Sequence, residues 1–208
     1  MRTIKKVASH IFIDGFGGMT QGLFATLIIG TMIQQIGLLI GGSTGNVIYL
    51  LGKAAAALTS AGIGVGVAVK YGESPLVTVS AAVAAMVGGY AGKITGGTFF
   101  VDGNAVLGGP GEPLGAFIAA FAGITCGHLV SGKNKVDIIV TPVITIGAGS
   151  VVGLLVGPPI SQMMTGLGSI INWATEQRPF IMGIVVSVVM GMVLTLPISS
   201  AALGIILN

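Results

Sequence analysis

Charged residues are scarce in this chain of 208 residues, because Asp, Glu, Lys and Arg together make up only 7% of it. A soluble domain typically carries about 25% charged residues. A protein of this size cannot cover a water-exposed surface with so few charges, so the composition excludes an ordinary soluble domain. Apolar residues make up 53% of the chain instead. The composition therefore predicts an integral membrane protein in contact with the lipid bilayer.

Groups that hold metals or act as nucleophiles are also scarce. The single cysteine, Cys126, excludes an intrachain disulfide and a cysteine cluster. No second histidine or carboxylate stands at metal-ligand spacing from His128, so we expect no metal and no other cofactor. We interpret His128 as a hydrogen-bonded packing residue, with a role in proton or phosphoryl transfer as the alternative. The serines and threonines lack a placed base, so the chain is not expected to be catalytic alone.

A clustered basic face is absent as well. The nine basic residues are spread over the ends of apolar segments, which excludes a nucleic acid as partner. At the N-terminus, apolar residues share one helical stripe beside basic ones and no cleavable signal follows. Residues 1–18 are therefore predicted to form an interfacial amphipathic segment, which ends in a glycine-rich break at 14–18. The stripe and its basic neighbours are Ile4, Val7, Ile11, Arg2, Lys5 and Lys6.

Long uncharged runs occupy the rest of the chain, at 15–52, 54–69, 74–92, 113–132, 138–175 and 179–208. A helix needs about 20 apolar residues to cross the hydrocarbon, whereas the strands of a membrane β-barrel are shorter and alternate apolar with polar residues. We predict an all-α fold, a polytopic transmembrane helical bundle with broken or re-entrant segments, in one domain over 1–208. The spans are expected at 19–40, 47–69, 75–92, 113–131, 138–157 and 180–207. Pro158-Pro159 is expected to end the fifth span, leaving 160–175 as a partial crossing.

The basic residues also predict an orientation. With the N-terminus in the cytoplasm, seven basic residues fall inside and two outside, as the positive-inside rule requires. The inner set is Arg2, Lys5, Lys6, Lys70, Lys133, Lys135 and Arg178, and the outer set is Lys53 and Lys93. This threading makes the chain a multi-pass protein of the plasma membrane. This order of crossings is possible only if residues 96–111 begin and end on the outer side of the membrane.

The segment 93–112 is therefore a candidate re-entrant loop, too rich in Gly and Pro for a helix and too apolar for a solvated loop. Carboxylates and amides bind sugar hydroxyls, and aromatic rings supply an apolar wall. Asp102, Asn104 and Glu112 supply the polar groups, and Phe99 supplies the ring. These four residues are the candidate substrate-binding set. The alternative is a surface loop whose carboxylates are simply hydrated.

Other polar and small residues lie inside the predicted spans. Gln34 sits in the first span, where a buried amide needs a partner. It is interpreted either as packing between helices or as part of a polar path, and in the second case it joins the substrate-binding set. The alternating Gly62, Gly64 and Gly66 predict close approach of helix backbones or local unwinding.

Several motifs occur in a fixed order along the chain: Pro113-Leu114-Gly115-Ala116-Phe117, Thr141-Pro142, Val156-Gly157-Pro158-Pro159-Ile160 and Trp173. In this order they resemble the membrane subunit, enzyme IIC, of the bacterial sugar phosphotransferase system, especially its fructose-type branch. Residues 109–113 are similar to the Gly-x-x-Glu-Pro motif of glucose-type members, whose glutamate holds a sugar hydroxyl. Residues 14–31 resemble a distinct group of enzyme IIC-like membrane regulators.

The resemblance implies a membrane transport subunit that binds and translocates a small polar solute, a sugar, by alternating access. It also implies phosphocarrier proteins as partners, and the small-residue helices favour a homodimer. Members of the family continue well beyond position 208, which implies a fragment or a short form. A membrane-embedded solute sensor without transport is the alternative function, and the identity of the solute stays open.

Overall fold

The structure, a computed structural model, describes residues 14–101, 103–133, 135–175, 182–184, 186–188 and 191. Seven helices fill most of this part of the chain: α1 Phe16–Ile40, α2 Gly42–Ala57, α3 Thr59–Lys70, α4 Pro75–Gly89, α5 Ala91–Thr95, α6 Pro113–Val130 and α7 Asp137–Thr175. A hairpin of two antiparallel strands, each two residues long, lies between α5 and α6: β1 Phe100–Val101 and β2 Asn104–Ala105. The predicted all-α fold is confirmed.

Three helices are long and apolar enough to cross a bilayer, namely Phe16–Ile40, Pro113–Val130 and Asp137–Ile170. The number rises to four if α2 and α3, which meet at an angle of 53°, form one broken span. Helix α4 is apolar but only 15 residues long. Large apolar side chains such as Leu39 and Leu155 are exposed on the bundle, as expected for surfaces that face lipid. The described chain is therefore a multi-pass helical membrane protein.

Glycines set the distances between helices. A Cβ placed on Gly22 of α1 would lie 2.3 Å from the carbonyl oxygen of Gly62 in α3, and one on Gly18 would lie 2.5 Å from that of Gly66. On its other side, α3 contacts α4, where Gly64 faces Ala81. Backbones this close exclude any side chain, so the close approach predicted for the glycines of α3 is confirmed. Helix α3 is continuous over these positions, so local unwinding does not occur there.

Helix interruptions are a second feature of the bundle. Helix α1 contains a π-helical turn at Phe24–Ile28. Helices α2 and α3 are separated at Leu58, whose φ and ψ are −87° and 9°. Helices α4 and α5 are separated at Tyr90, with φ −105° and ψ 10°. Each interruption frees backbone groups that need a new partner.

The prolines of α7 do not end it. The predicted break at Pro158-Pro159 is wrong, because α7 is a continuous helix of 39 residues that contains both prolines. Prolines are tolerated in membrane helices where neighbouring helices hold the segment. Here α5 packs closely against α7, since a Cβ on Gly157 would lie 2.4 Å from the Cβ of Ala91. Packing therefore overrides the local helix-breaking tendency.

The glycine-rich start of α1 is also helical. The predicted break at 14–18 is wrong, because residues 14–15 are π-helical and α1 begins at Phe16. The glycines there serve contact instead: Gly18 faces α3, and a Cβ on Gly15 would lie 2.6 Å from the Tyr71 hydroxyl. The rest of the predicted amphipathic segment, 1–13, lies outside the described residues, as do Arg178 and the end of the predicted last span.

Candidate functional site

Three interrupted pieces of the chain meet at one place, which we call the break site: the start of α3, the end of α4, and the segment 108–112. The buried Ser60 Oγ donates to the carbonyl oxygen of Pro110 at 2.9 Å. The backbone N–H of Glu112 donates to the carbonyl oxygen of Gly89 at 2.7 Å. Segment 108–112 is thus fixed to two helices that are far from it in sequence.

Each carbonyl of residues 108–110 receives a hydrogen bond from a different side chain. Lys93 Nζ donates to Gly108, the Tyr90 hydroxyl donates to Gly109, and Ser60 donates to Pro110. Pro110 is buried, whereas Gly108 and Gly109 are exposed. A buried carbonyl without a donor is costly, so the bond from Ser60 matters most, and the three bonds together hold a non-helical backbone at the edge of the bundle. The segment is therefore held in one conformation.

Glycine is required at the centre of this segment. Gly111 has a φ of 75°, a left-handed conformation that residues with a Cβ avoid. A Cβ at this position would also lie 2.4 Å from Ser60 Oγ. Both the backbone conformation and the lack of space explain why the motif contains glycine here.

Glu112 is the N-cap residue of α6. Its carboxylate accepts a hydrogen bond from the N–H of Leu114 at 3.4 Å, and the residue is 9% exposed. The N-terminal end of a helix favours a negative charge, which offsets part of the cost of burying a carboxylate. One carboxylate oxygen accepts this bond, which leaves acceptor capacity for a bound molecule.

A cavity of about 180 Å³ lies beside Glu112, lined by Gly89, Gly92, Lys93, Gly108, Pro110, Gly111, Glu112, Ser161, Met164 and Thr165. Helix α7 contributes Ser161, Met164 and Thr165 to the lining. The carboxylate accepts hydrogen bonds, the ammonium of Lys93 donates them, and the hydroxyls of Ser161 and Thr165 can do both. A molecule with several hydroxyl groups has the matching chemistry.

The break site is level with the middle of α1. Ser60 is two residues from Gly62, which faces Thr26 of α1. Thr26 is ten residues after Phe16 and 14 before Ile40, so about 15 Å and 21 Å of helix lie on either side of it. The site is therefore about halfway along a helix long enough to span the bilayer.

The other predicted site residues lie in different places. Phe99 packs against Tyr90, with ring centroids 5.4 Å apart, and so borders the break site. Asn104 is exposed in the hairpin. Gln34 donates to Gly30 of its own helix at 3.4 Å and faces Gly52 of α2, so it does not line the cavity beside Glu112. Asp102 lies outside the described residues.

Sequence reasoning missed several residues of the break site: Ser60, Tyr90, Lys93, Ser161 and Thr165. Tyr90 and Lys93 stand just before the glycine-rich segment, and polar groups beside an interrupted run are a usable signal. Ser60, Ser161 and Thr165 come from distant helices and carry no such signal.

A second group of polar residues, the end cluster of Tyr71, Glu73 and His128, lies where α3 and α6 end and α4 begins. His128 Nδ1 is 3.0 Å from Glu73 Oε1 and its side chain is 70% exposed. The cluster lines a cavity of about 400 Å³. Burial, and next the negative charge of Asp14, raise the pKa of Tyr71 to about 12. Among the described residues, no three His, Cys, Asp or Glu side chains are grouped to hold a metal.

Comparison with known proteins gives one match. A family model described as "Phosphotransferase system, EIIC" matches residues 13–208. No curated protein and no solved structure matches the chain.

Proposed function

The chain belongs to the phosphotransferase system EIIC family and is a membrane subunit of sugar transport, and we propose that it binds its sugar at the break site and translocates it by alternating access. In this proposal Glu112 accepts hydrogen bonds from sugar hydroxyls. Lys93, Ser161 and Thr165 complete the hydrogen-bonding wall. The observation that carries the proposal is the buried carboxylate beside a cavity that Lys93, Ser161 and Thr165 also line, at the meeting point of three interrupted segments.

The chemistry of the cavity supports a sugar as the solute. A sugar hydroxyl both donates and accepts, so it pairs with a carboxylate, an ammonium or a hydroxyl without net charge. Glu112 needs a partner or water, because an ionised carboxylate inside a bundle is costly. Met164 lines the cavity and supplies apolar surface there, and Phe99 packs against Tyr90 at the edge of the site.

The position of the site supports translocation. Transporters place solutes near the bilayer midplane between discontinuous helices, where backbone groups are free and segments can move as rigid bodies. The break site is level with the middle of α1 and joins the α2–α3 break to the α4–α5 break. Segment 93–112 is accordingly proposed to be re-entrant, with its exposed residues 95–98 and 103–109 lining a water-filled cavity.

Orientation and partners are part of the same proposal. Lys70, Lys133 and Lys135 lie near the end cluster, whereas Lys93 lies at the break site. From the positive-inside rule, we propose that the end cluster and the N-terminus lie on the cytoplasmic side of the plasma membrane. Phosphocarrier proteins are proposed to act from this side, and a second copy of the chain to complete a homodimer.

Uptake of radiolabelled glucose, fructose and mannitol into proteoliposomes tests the proposal. The account predicts saturable uptake of at least one of them. Glu112→Gln should raise the KM of that sugar about 10- to 100-fold, because a hydrogen bond to a charged group is lost. Glu73→Gln in the end cluster is the matched control and should change the KM less than twofold.

Two results would contradict the proposal. Binding without uptake would sink transport and favour the solute sensor. Equal KM changes in Glu112→Gln and Glu73→Gln would remove Glu112 from the sugar site.

A further inference from the structure

Tyr90 lies where the interrupted segments of the break site meet, and its hydroxyl reaches two of them. It donates to the carbonyl oxygen of Ala57, just before the α2–α3 break, at 3.2 Å. It also donates to the carbonyl oxygen of Gly109 in segment 108–112. Because a hydroxyl carries one hydrogen, the two carbonyls share a single donor. Tyr90 is 1% exposed, so the donor itself is buried.

The ring of Tyr90 is fixed independently of its hydroxyl. Phe99 packs against it at 5.4 Å between ring centroids, and Lys93 Nζ lies 5.6 Å from its centroid. These contacts direct the hydroxyl toward both carbonyls. A phenylalanine at position 90 keeps the ring, its volume and both contacts, and removes only the donor.

We propose that Tyr90 is a positioning residue that fixes segment 108–112 against the α2–α3 break and thereby sets the position of the Glu112 carboxylate. The inference rests on the proposed function, since the position of this carboxylate matters to uptake only if Glu112 binds the sugar. Without the hydroxyl, the carbonyls of Ala57 and Gly109 lose a shared buried donor. The segment then gains freedom, and fewer of its conformations align Glu112 with a solute.

The first test compares Tyr90→Phe with Tyr49→Phe. Tyr49 is a half-buried tyrosine of α2 that does not line the cavity beside Glu112. Tyr90→Phe should raise the KM for uptake of the labelled sugar about 3- to 10-fold, as expected for one lost hydrogen bond. Its maximal rate should change less than twofold. Tyr49→Phe should change neither value. A lower thermal stability of Tyr90→Phe with an unchanged KM would show a merely structural role and overturn the inference.

A second measurement follows the segment directly and needs no sugar. Val106 is exposed and lies next to segment 108–112, so a nitroxide is attached to a cysteine introduced there by Val106→Cys. Cys126→Ser removes the chain's own cysteine, so that only position 106 is labelled. Electron paramagnetic resonance should show a more mobile label when Tyr90→Phe is added, and no change with Tyr49→Phe. Equal mobility in both variants would overturn the inference.

The two failures are distinguishable. If Glu112→Gln leaves uptake unchanged, the proposed binding role fails whatever Tyr90→Phe does. If Glu112→Gln raises the KM and Tyr90→Phe does not, the positioning role alone is overturned.

Discussion

The break site and the end cluster are both groups of polar residues in an apolar helical bundle, yet one is anchored in its interior and the other lies at helix ends near the surface. At the break site, Ser60 of α3, Tyr90 at the α4–α5 break and Lys93 of α5 hydrogen-bond to main-chain carbonyls of a non-helical segment. In the end cluster, His128 pairs with Glu73 where regular helices end, and the imidazole is largely exposed. The first arrangement fixes the backbone, whereas the second joins two side chains near the surface.

This difference shows where a binding site can be made rigid in a membrane helix bundle. A regular helix uses its own backbone groups, so it offers a solute only side chains. An interrupted helix exposes carbonyls and N–H groups that must be paired, and pairing them fixes the side chain that follows. Glu112 takes its position in this way, at the N-terminus of α6.

The largest effect is expected from replacing a glycine by alanine at the break site, compared with the same change at a glycine of similar conformation elsewhere. Gly111 at the break site has a φ of 75° and Gly132 near the end cluster has a φ of 73°. A Cβ at Gly111 would meet Ser60 Oγ, whereas nothing lies within 4 Å of one at Gly132. Gly111→Ala should cost roughly 2–5 kcal/mol of stability, from backbone strain plus overpacking, and abolish uptake. Gly132→Ala should cost about 1 kcal/mol of strain and leave the KM unchanged.

Thermal melts in detergent and uptake assays on the same preparations measure both effects. Equal stability losses in the two variants would mean that the contact between Gly111 and Ser60 contributes nothing. The proposed difference between the closely packed segment around Gly111 and the open segment around Gly132 would then be wrong.

The smallest expected effect concerns the end cluster. His128→Ala removes an exposed partner and leaves the Glu73 carboxylate to water in the adjoining cavity, so it should cost less than about 1 kcal/mol. The KM for the sugar should stay within twofold of the parent value. A tenfold rise in KM would place the end cluster in the solute path and erase the distinction between the two regions.

The sequence predicts the helical membrane fold because scarcity of charge leaves few alternatives. It also predicts that a helix begins at Pro113, because proline is common at the first position of a helix and a glycine-rich segment precedes it. The packing role of the glycines of α3 follows from their spacing. These inferences depend on local pattern and composition alone.

The rest of the site depends on contacts between distant residues. Ser161 reaches the cavity only because α7 continues past Pro158-Pro159, which local propensity does not predict. The acceptors of Tyr90 are backbone carbonyls 33 and 19 residues away, and any residue type supplies a carbonyl. Asn104 has the right chemistry for a sugar but lies exposed in the hairpin. Side-chain type alone therefore does not identify the wall of the cavity.

Protection of an introduced cysteine by sugar tests the central claim most directly. In the Cys126→Ser background, Ser161→Cys places a thiol in the break-site cavity and Thr125→Cys places one in the cavity of the end cluster. The rate of maleimide labelling is measured with and without a saturating amount of the glucose, fructose or mannitol that is taken up. The account predicts at least tenfold slower labelling of Ser161→Cys and an unchanged rate for Thr125→Cys. Protection of Thr125→Cys without protection of Ser161→Cys would contradict it.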